Sequence, residues 1–214
     1  MDFLPTPISE YAEKFNSEEK TLLHELNRAT WTDVLQPRML SGHFQGRFLS
    51  MISHLMKPKR ILEIGTYTGY SALCLAEGLA EDGILHTIEI DEEIVAFASH
   101  YFEKSPMRTK IVQHTGHGLE IIPELNEDWD LVFIDADKEN YSKYYGMLID
   151  KLKPGALILA DNVLWSGKVV DEKERNKDPE TAAIHAFNLM VQQDDKVENL
   201  LLPIRDGLMM VRKR

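Results

Sequence analysis

The stretch Ile61-Leu62-Glu63-Ile64-Gly65-Thr66-Tyr67-Thr68-Gly69-Tyr70-Ser71 decides the fold. An apolar run ends in a glycine, a short polar turn follows, and a second glycine precedes a helix-compatible segment. Gly65 lets the chain leave a strand with a backbone geometry other residues resist, and it lets a ligand approach the main chain closely. Gly69 sits where the helix must begin near the strand. The spacing is G-x-x-x-G rather than G-x-G-x-x-G, so fewer bare amides are available to cradle a pyrophosphate. Taken alone, the pattern also fits a plain strand-to-helix turn.

Working outward, short apolar runs predict strands at 60–64, 84–88, 110–114, 130–134 and 156–160. Helical stretches are expected between and after them, at about 70–80, 92–104, 118–125, 139–151 and 180–193. Such alternation indicates βαβ units, a mostly parallel sheet and a doubly wound α/β class. The runs at 130–134 and 156–160 are apolar almost throughout, as strands covered on both faces should be. Near the C-terminus, Arg205-Asp206-Gly207 separates two apolar runs, which predicts a hairpin and an antiparallel pair. Residues 9–30 have amphipathic helical spacing, and 38–56 read as a helix interrupted near its start by Gly42 and Gly46. Pro58 ends it. The segment Ser166–Asp178 is charged and aperiodic, and reads either as a solvated loop or as a mobile lid. The expected organisation is one domain over 1–214, with a helical extension at 1–57 and a core at 58–214.

Lys and Arg number 24 against 35 Asp and Glu, a formal net charge of −11. That balance argues against nucleic acid or an anionic membrane as the main partner. A single cysteine excludes an internal disulfide and fits a reducing compartment. The opening MDFLPTPISEYAEKF has no basic region followed by an apolar core, and no apolar run approaches the ~20 residues of a membrane helix. The expectation is a cytoplasmic protein.

Acidic residues mark the candidate site. Glu63 lies inside a predicted strand, where burial is costly unless something pairs with it: an internal cation, or a cationic group on a ligand. Glu89 closes the next strand, 24 residues after Gly65, at the position suited to ribose hydroxyls. Asp91 reads as a helix N-terminal charge. Two further strands end in acids, at Asp135 and at Asp161-Asn162. Ends of neighbouring strands lie about 4.8 Å apart, so these side chains can converge at the carboxyl edge. Asp135, Asp161 and Asn162 offer only oxygen, which suits Mg²⁺, Mn²⁺ or Ca²⁺ better than zinc. Helix capping and turn chemistry are the plainer explanation for each one singly. Lys138 is a candidate proton acceptor near such a cation, or a surface lysine at a helix start.

With these residues assembled, the chain resembles the metal-dependent class I S-adenosylmethionine O-methyltransferases, in particular the caffeoyl-CoA and catechol O-methyltransferase group and its bacterial relatives. The resemblance covers roughly residues 35–214. It rests on the 63–71 segment, on Asp135-Ala136-Asp137-Lys138 and on Asp161-Asn162-Val163-Leu164-Trp165-Ser166-Gly167. It implies a seven-stranded Rossmann-like sheet with the last strand antiparallel, and a homodimer. It also implies that Glu63, Gly65, Thr66 and Ser71 surround the methionine part of S-adenosylmethionine, that Glu89 binds its ribose, that Gly118 lies beside the adenine, and that Met39 and Ser41 cover the cofactor. Asp135, Asp161 and Asn162 match metal ligands, with Asp135 also close to the cofactor and the chemistry. Lys138 matches the catalytic base, and Trp165 an aromatic residue near a phenolic substrate. The run Gly42-His43-Phe44-Gln45 departs from the more acidic plant pattern, which makes His43 a candidate for contact with a different acceptor. An NAD-dependent oxidoreductase and a catalytically silent nucleoside-binding module are the competing functions.

Overall fold

Sequence alternation becomes strand and helix alternation in the computed structural model, which describes residues 5–214. Met1–Leu4, part of the opening segment read above for a leader, lie outside the described residues. The chain divides into two compact units: Glu10–Glu124, and Leu125–Arg214 together with the residues up to Ser9.

In the first unit, α1 (Thr6–Lys14, shared across the division) and α2 (Thr21–Asp33) form where amphipathic helical spacing runs over 9–30. Helix α3 (Gly42–Met56) begins at Gly42 and runs through Gly46 without a break. Gly46 is a packing residue: a Cβ there would lie 2.6 Å from the Tyr70 ring and 2.8 Å from Cys74 Sγ on α4 (Tyr70–Ala76). All seven residues of α4 are buried. Strands β1 (Arg60–Ile64), β2 (Ile84–Glu89) and β3 (Ile111–Thr115) are parallel, with Ile64 opposite Ile88 and Glu89 opposite Thr115. Helix α5 (Glu92–Lys104) starts at Asp91, whose carboxylate accepts from the amides of Glu93 and Ile94, the N-terminal role expected of it. The helix expected over 118–125 is shorter. It is α6 (Gly118–Ile121), followed by a 3₁₀ turn containing Pro123, whose ring cannot continue an α-helix.

In the second unit, β4 (Leu131–Ile134) and β5 (Leu157–Asp161) are parallel and buried at every position. Strand β7 (Leu208–Lys213) runs antiparallel to β6 (Val197–Leu202), as the Asp-Gly hairpin signal predicted, and also antiparallel to β5. Helices α7 (Tyr141–Ile149) and α9 (Pro179–Gln193) meet through Phe187, which packs edge-on against Tyr141 and Tyr145. The strand order is β3-β2-β1-β4-β5-β7-β6, a seven-stranded mixed sheet that is mostly parallel.

The 166–178 segment also differs from its sequence reading. Residues 166–178 are ordered into a 3₁₀ stretch and a short helix, α8 (Glu172–Lys177). Asp171 caps α8 by accepting from Lys173 N–H, acids lie in its first turn, and Arg175 and Lys177 in its last. No residue of α8 is buried, so it carries no apolar stripe by which periodicity could have revealed it.

Gly46→Ala tests the α3–α4 contact. Helix propensity alone favours alanine by about 1 kcal/mol. The expected outcome is nevertheless a net loss of about 1–3 kcal/mol in urea unfolding, because the Tyr70 ring and Cys74 are buried and have no room to yield.

Candidate functional site

The site residues fall into two groups, one in each unit. In the first, the chain leaves β1 at Gly65 (φ +98°), and the amides of Gly65 and Thr66 both donate to the carbonyl of Ile88 at the end of β2. Tyr67 takes a left-handed backbone (φ +48°) and donates its amide to Glu89 Oε2 at 2.8 Å. Glu89 Oε1 accepts from the amides of Ile90 and Asp91 at 2.9 and 3.1 Å. Three backbone donors thus fix this carboxylate at the carboxyl end of the sheet, where open α/β folds bind ligands. Gly69 must be glycine on two counts: its φ is +91°, and a Cβ would lie 2.6 Å from the Phe102 ring.

Glu63 is fully buried, and Thr87, its register partner on β2, donates a hydroxyl hydrogen bond to Glu63 Oε2 at 2.5 Å. Thr87 and Thr66 hydroxyls are themselves 2.5 Å apart. Arg60, the nearest cation in sequence, reaches the carbonyls of Lys59 and Asp82. Ser71 is buried in the first turn of α4, and Gly118 is buried at the start of α6, whose N-cap is His117. Ser41 is buried immediately before α3, whereas Met39 is 56% exposed. The His43 ring donates from Nε2 to the Ser17 carbonyl at 2.7 Å. Its Nδ1 is buried without a hydrogen-bond partner among the described residues.

In the second unit, Ile134 of β4 is opposite Ala160 of β5, so Asp135 follows β4 directly alongside Asp161, the last residue of β5. Asp161 is buried, and its Oδ1 accepts from the Asn162 amide at 2.8 Å. Lys138 Nζ lies 3.0 Å from Asp135 Oδ1 and 2.6 Å from the Tyr141 hydroxyl oxygen, to both of which it donates. The Tyr141 hydroxyl in turn donates toward the carbonyls of Asp161 (3.0 Å) and Ile134 (3.3 Å). Burial first, and then the charges of Asp135, Asp161 and Asp137, hold the Tyr141 hydroxyl far above the usual tyrosine range, so it stays a neutral donor. The ammonium also lies 4.8 Å from the Tyr141 ring centre and 5.8 Å from that of Trp165.

Asn162, Trp165, Ser166 and Gly167 all have positive φ, from 46° to 79°. A non-glycine residue held there costs on the order of 1–3 kcal/mol. The turn is restrained by Asp206, whose Oδ1 accepts from the Ser166 amide at 2.6 Å, and by Asn188 on α9, which donates to the Val163 carbonyl. The Trp165 indole N–H is buried with no hydrogen-bond partner among the described residues.

Asp135, Asp161 and Asn162 carry two carboxylates and one amide oxygen, donors whose chemistry fits a hard divalent ion. No group of three or more His, Cys, Asp or Glu arranged to hold a metal occurs among the described residues. The sequence reading missed Thr87, Tyr141 and Asp206. Tyr141 had a signal, since it follows Lys138 by three residues at a predicted helix start. Asp206 was read only as a turn residue.

The O-methyltransferase family model matches residues 13–214. A catechol O-methyltransferase from Niastella koreensis is 35% identical over 162 residues, 74% of this chain and 72% of the relative. Caffeoyl-CoA O-methyltransferase 5 from Nicotiana tabacum is 34% identical over 185 residues, 82% and 77% of the two chains. The crystal structure of an O-methyltransferase from Bacillus cereus in complex with SAH superposes with a TM-score of 0.90 at 28% identity, covering 98% of each chain.

Glu89→Ala leaves the amides of Tyr67, Ile90 and Asp91 without their acceptor. Faster amide hydrogen exchange at these three positions is expected, with a stability loss of about 1–3 kcal/mol. Unchanged exchange would remove Glu89 as the organiser of this turn.

Proposed function

The chain belongs to the O-methyltransferase family and is an S-adenosylmethionine-dependent methyltransferase, and from that premise we propose that its acceptor is a small phenol of catechol or caffeoyl type, methylated on one of two adjacent hydroxyls with a divalent cation. The observation that carries this reading is the pairing of Asp135 and Asp161 at matched ends of β4 and β5, with the Lys138 ammonium 3.0 Å from Asp135. The charge of −11 supports a small-molecule acceptor rather than nucleic acid, and no helix among the described residues is long and apolar enough to cross a membrane. We assign the protein to the cytoplasm as a homodimer, with 1–214 forming one O-methyltransferase domain.

In this reading Asp135, Asp161 and Asn162 hold the ion, with Mg²⁺ the first candidate and Mn²⁺ or Ca²⁺ able to replace it. When bound, such an ion supplies positive charge that acidifies an acceptor hydroxyl and fixes its orientation. In its neutral amine form Lys138 takes the hydroxyl proton on Nζ and becomes the ammonium, and its bonds to Asp135 and Tyr141 fix the direction from which it does so. Trp165 covers the acceptor ring and offers its indole N–H. His43, bonded through Nε2 to Ser17, is kept as the candidate for contact with the acceptor.

Glu89 receives ribose hydroxyls, and Glu63 with Thr66, Gly65 and Ser71 frames the amino-acid end of the donor. Gly118 flanks the adenine, with Met39 and Ser41 above. Methyl transfer removes the positive charge of the sulfonium, so a carboxylate in contact with sulfur would stabilise the starting state more than the transition state. The acids are therefore assigned to ribose, amino group and cation. Positioning of the acceptor oxygen in line with the methyl group supplies much of the remaining acceleration. Family membership does not favour the oxidoreductase or silent-module alternatives.

A methyl-transfer assay over a catechol and caffeoyl panel, with and without chelator, tests the proposal. Transfer that disappears with EDTA and returns with Mg²⁺ is expected; undiminished transfer in chelator would remove the cation from the reading. Lys138→Met is expected to lower kcat by about 100-fold or more while leaving the dissociation constant of S-adenosylhomocysteine unchanged. An undiminished kcat would leave the proton without an acceptor in this scheme.

A further inference from the structure

The turn after β5 is held by residues distant in sequence. The Asp206 carbonyl accepts from the Leu164 amide at 2.9 Å, the Gly207 carbonyl accepts from the Val163 amide at 3.1 Å, and Asp206 Oδ1 accepts from the Ser166 amide at 2.6 Å. Gly207 adopts φ +86°, and a Cβ there would lie 2.5 Å from Leu164 Cγ and 2.9 Å from Leu164 N. The β6–β7 connection is therefore pressed against the turn that carries Asn162 and Trp165. Asp206 itself is 8% exposed, and burial raises its carboxyl group above the ordinary range, while the Ser166 amide pulls it back down. The Asp206 side chain thus bonds to a residue whose backbone is left-handed.

We propose that Asp206 is a positioning residue for methyl transfer: by accepting the Ser166 N–H it locks the left-handed Asn162–Gly167 turn, and so fixes both the Asn162 amide and the Trp165 ring against the acceptor. The proposal rests on the function assigned above. Its physical content is a short acceptor at one distance from the backbone, rather than a negative charge. Without that acceptor the Ser166 amide is an unanswered donor, and Trp165 and Ser166 are free to relax toward ordinary backbone angles. Trp165 then leaves its place beside Lys138, 5.8 Å from the ammonium.

Two substitutions separate this role from a general effect on folding. Asp206→Asn keeps an oxygen acceptor on a side chain of the same length and removes the charge. Asp206→Glu keeps the charge and displaces the acceptor by one methylene. Slow exchange of the Ser166 amide and a catechol KM close to wild type are expected for Asp206→Asn. For Asp206→Glu, fast exchange and a KM raised about tenfold or more are expected, since small displacements of a positioning group have effects of that size. The dissociation constant of S-adenosylhomocysteine should be unchanged in both.

Equal KM values for wild type and both variants, or damage by Asp206→Asn equal to that by Asp206→Glu, would overturn the role of Asp206. A wild-type enzyme that methylates no catechol would instead overturn the function on which it rests, and the exchange measurement would still report whether Asp206 holds the turn.

Discussion

Two carboxylates are set side by side at the ends of neighbouring strands in the second unit, and a lysine, a tyrosine and two backbone carbonyls are arranged around them. Asp161 is buried and Asp135 stands next to it, which sets two acidic side chains together at one end of the sheet. Lys138 answers at Asp135, but a flexible ammonium does not hold one position by itself. Tyr141 supplies the constraint. Its hydroxyl accepts from Lys138 and donates toward the carbonyls that end β4 and β5, joining the lysine to the backbone of both strands. The Tyr141 ring is held by Phe187 of α9. Packing, backbone and charge therefore fix the lysine together.

The first unit uses main chain more than charge. Glu89 is oriented by three amides, and two of these belong to the residues that follow it. Glu63 meets a hydroxyl from its register partner. The G-x-x-x-G spacing places its glycines where a positive φ and a close ring demand them.

The seven strands and their alternation with helices were legible in the sequence because buried parallel strands are uninterrupted apolar runs, and because Gly65, Pro58 and Asp206-Gly207 punctuate them. Residues at strand ends, such as Glu89, Asp135 and Asp161, were legible for the same reason, since their position relative to a strand is itself the signal. Helix α8 was not, because an exposed helix has no periodic stripe. Nor was Gly46 recognisable as a packing residue, because the Tyr70 ring that requires it lies outside its own helix. Asp206 escaped for a related reason: its partner is forty residues earlier, and an Asp-Gly step has a sufficient local explanation as a hairpin.

That separation bears on how the protein is made. The acids at 135 and 161 emerge from the ribosome well before the β6–β7 connection that restrains the turn between Asn162 and Gly167. Strand β7 must then insert beside β5, pairing Asp161 with Leu208, before the restraint exists. Long-range pairing of this kind closes late. The left-handed turn beyond β5 thus depends on a partner forty residues downstream, and nothing local to the turn can take its place.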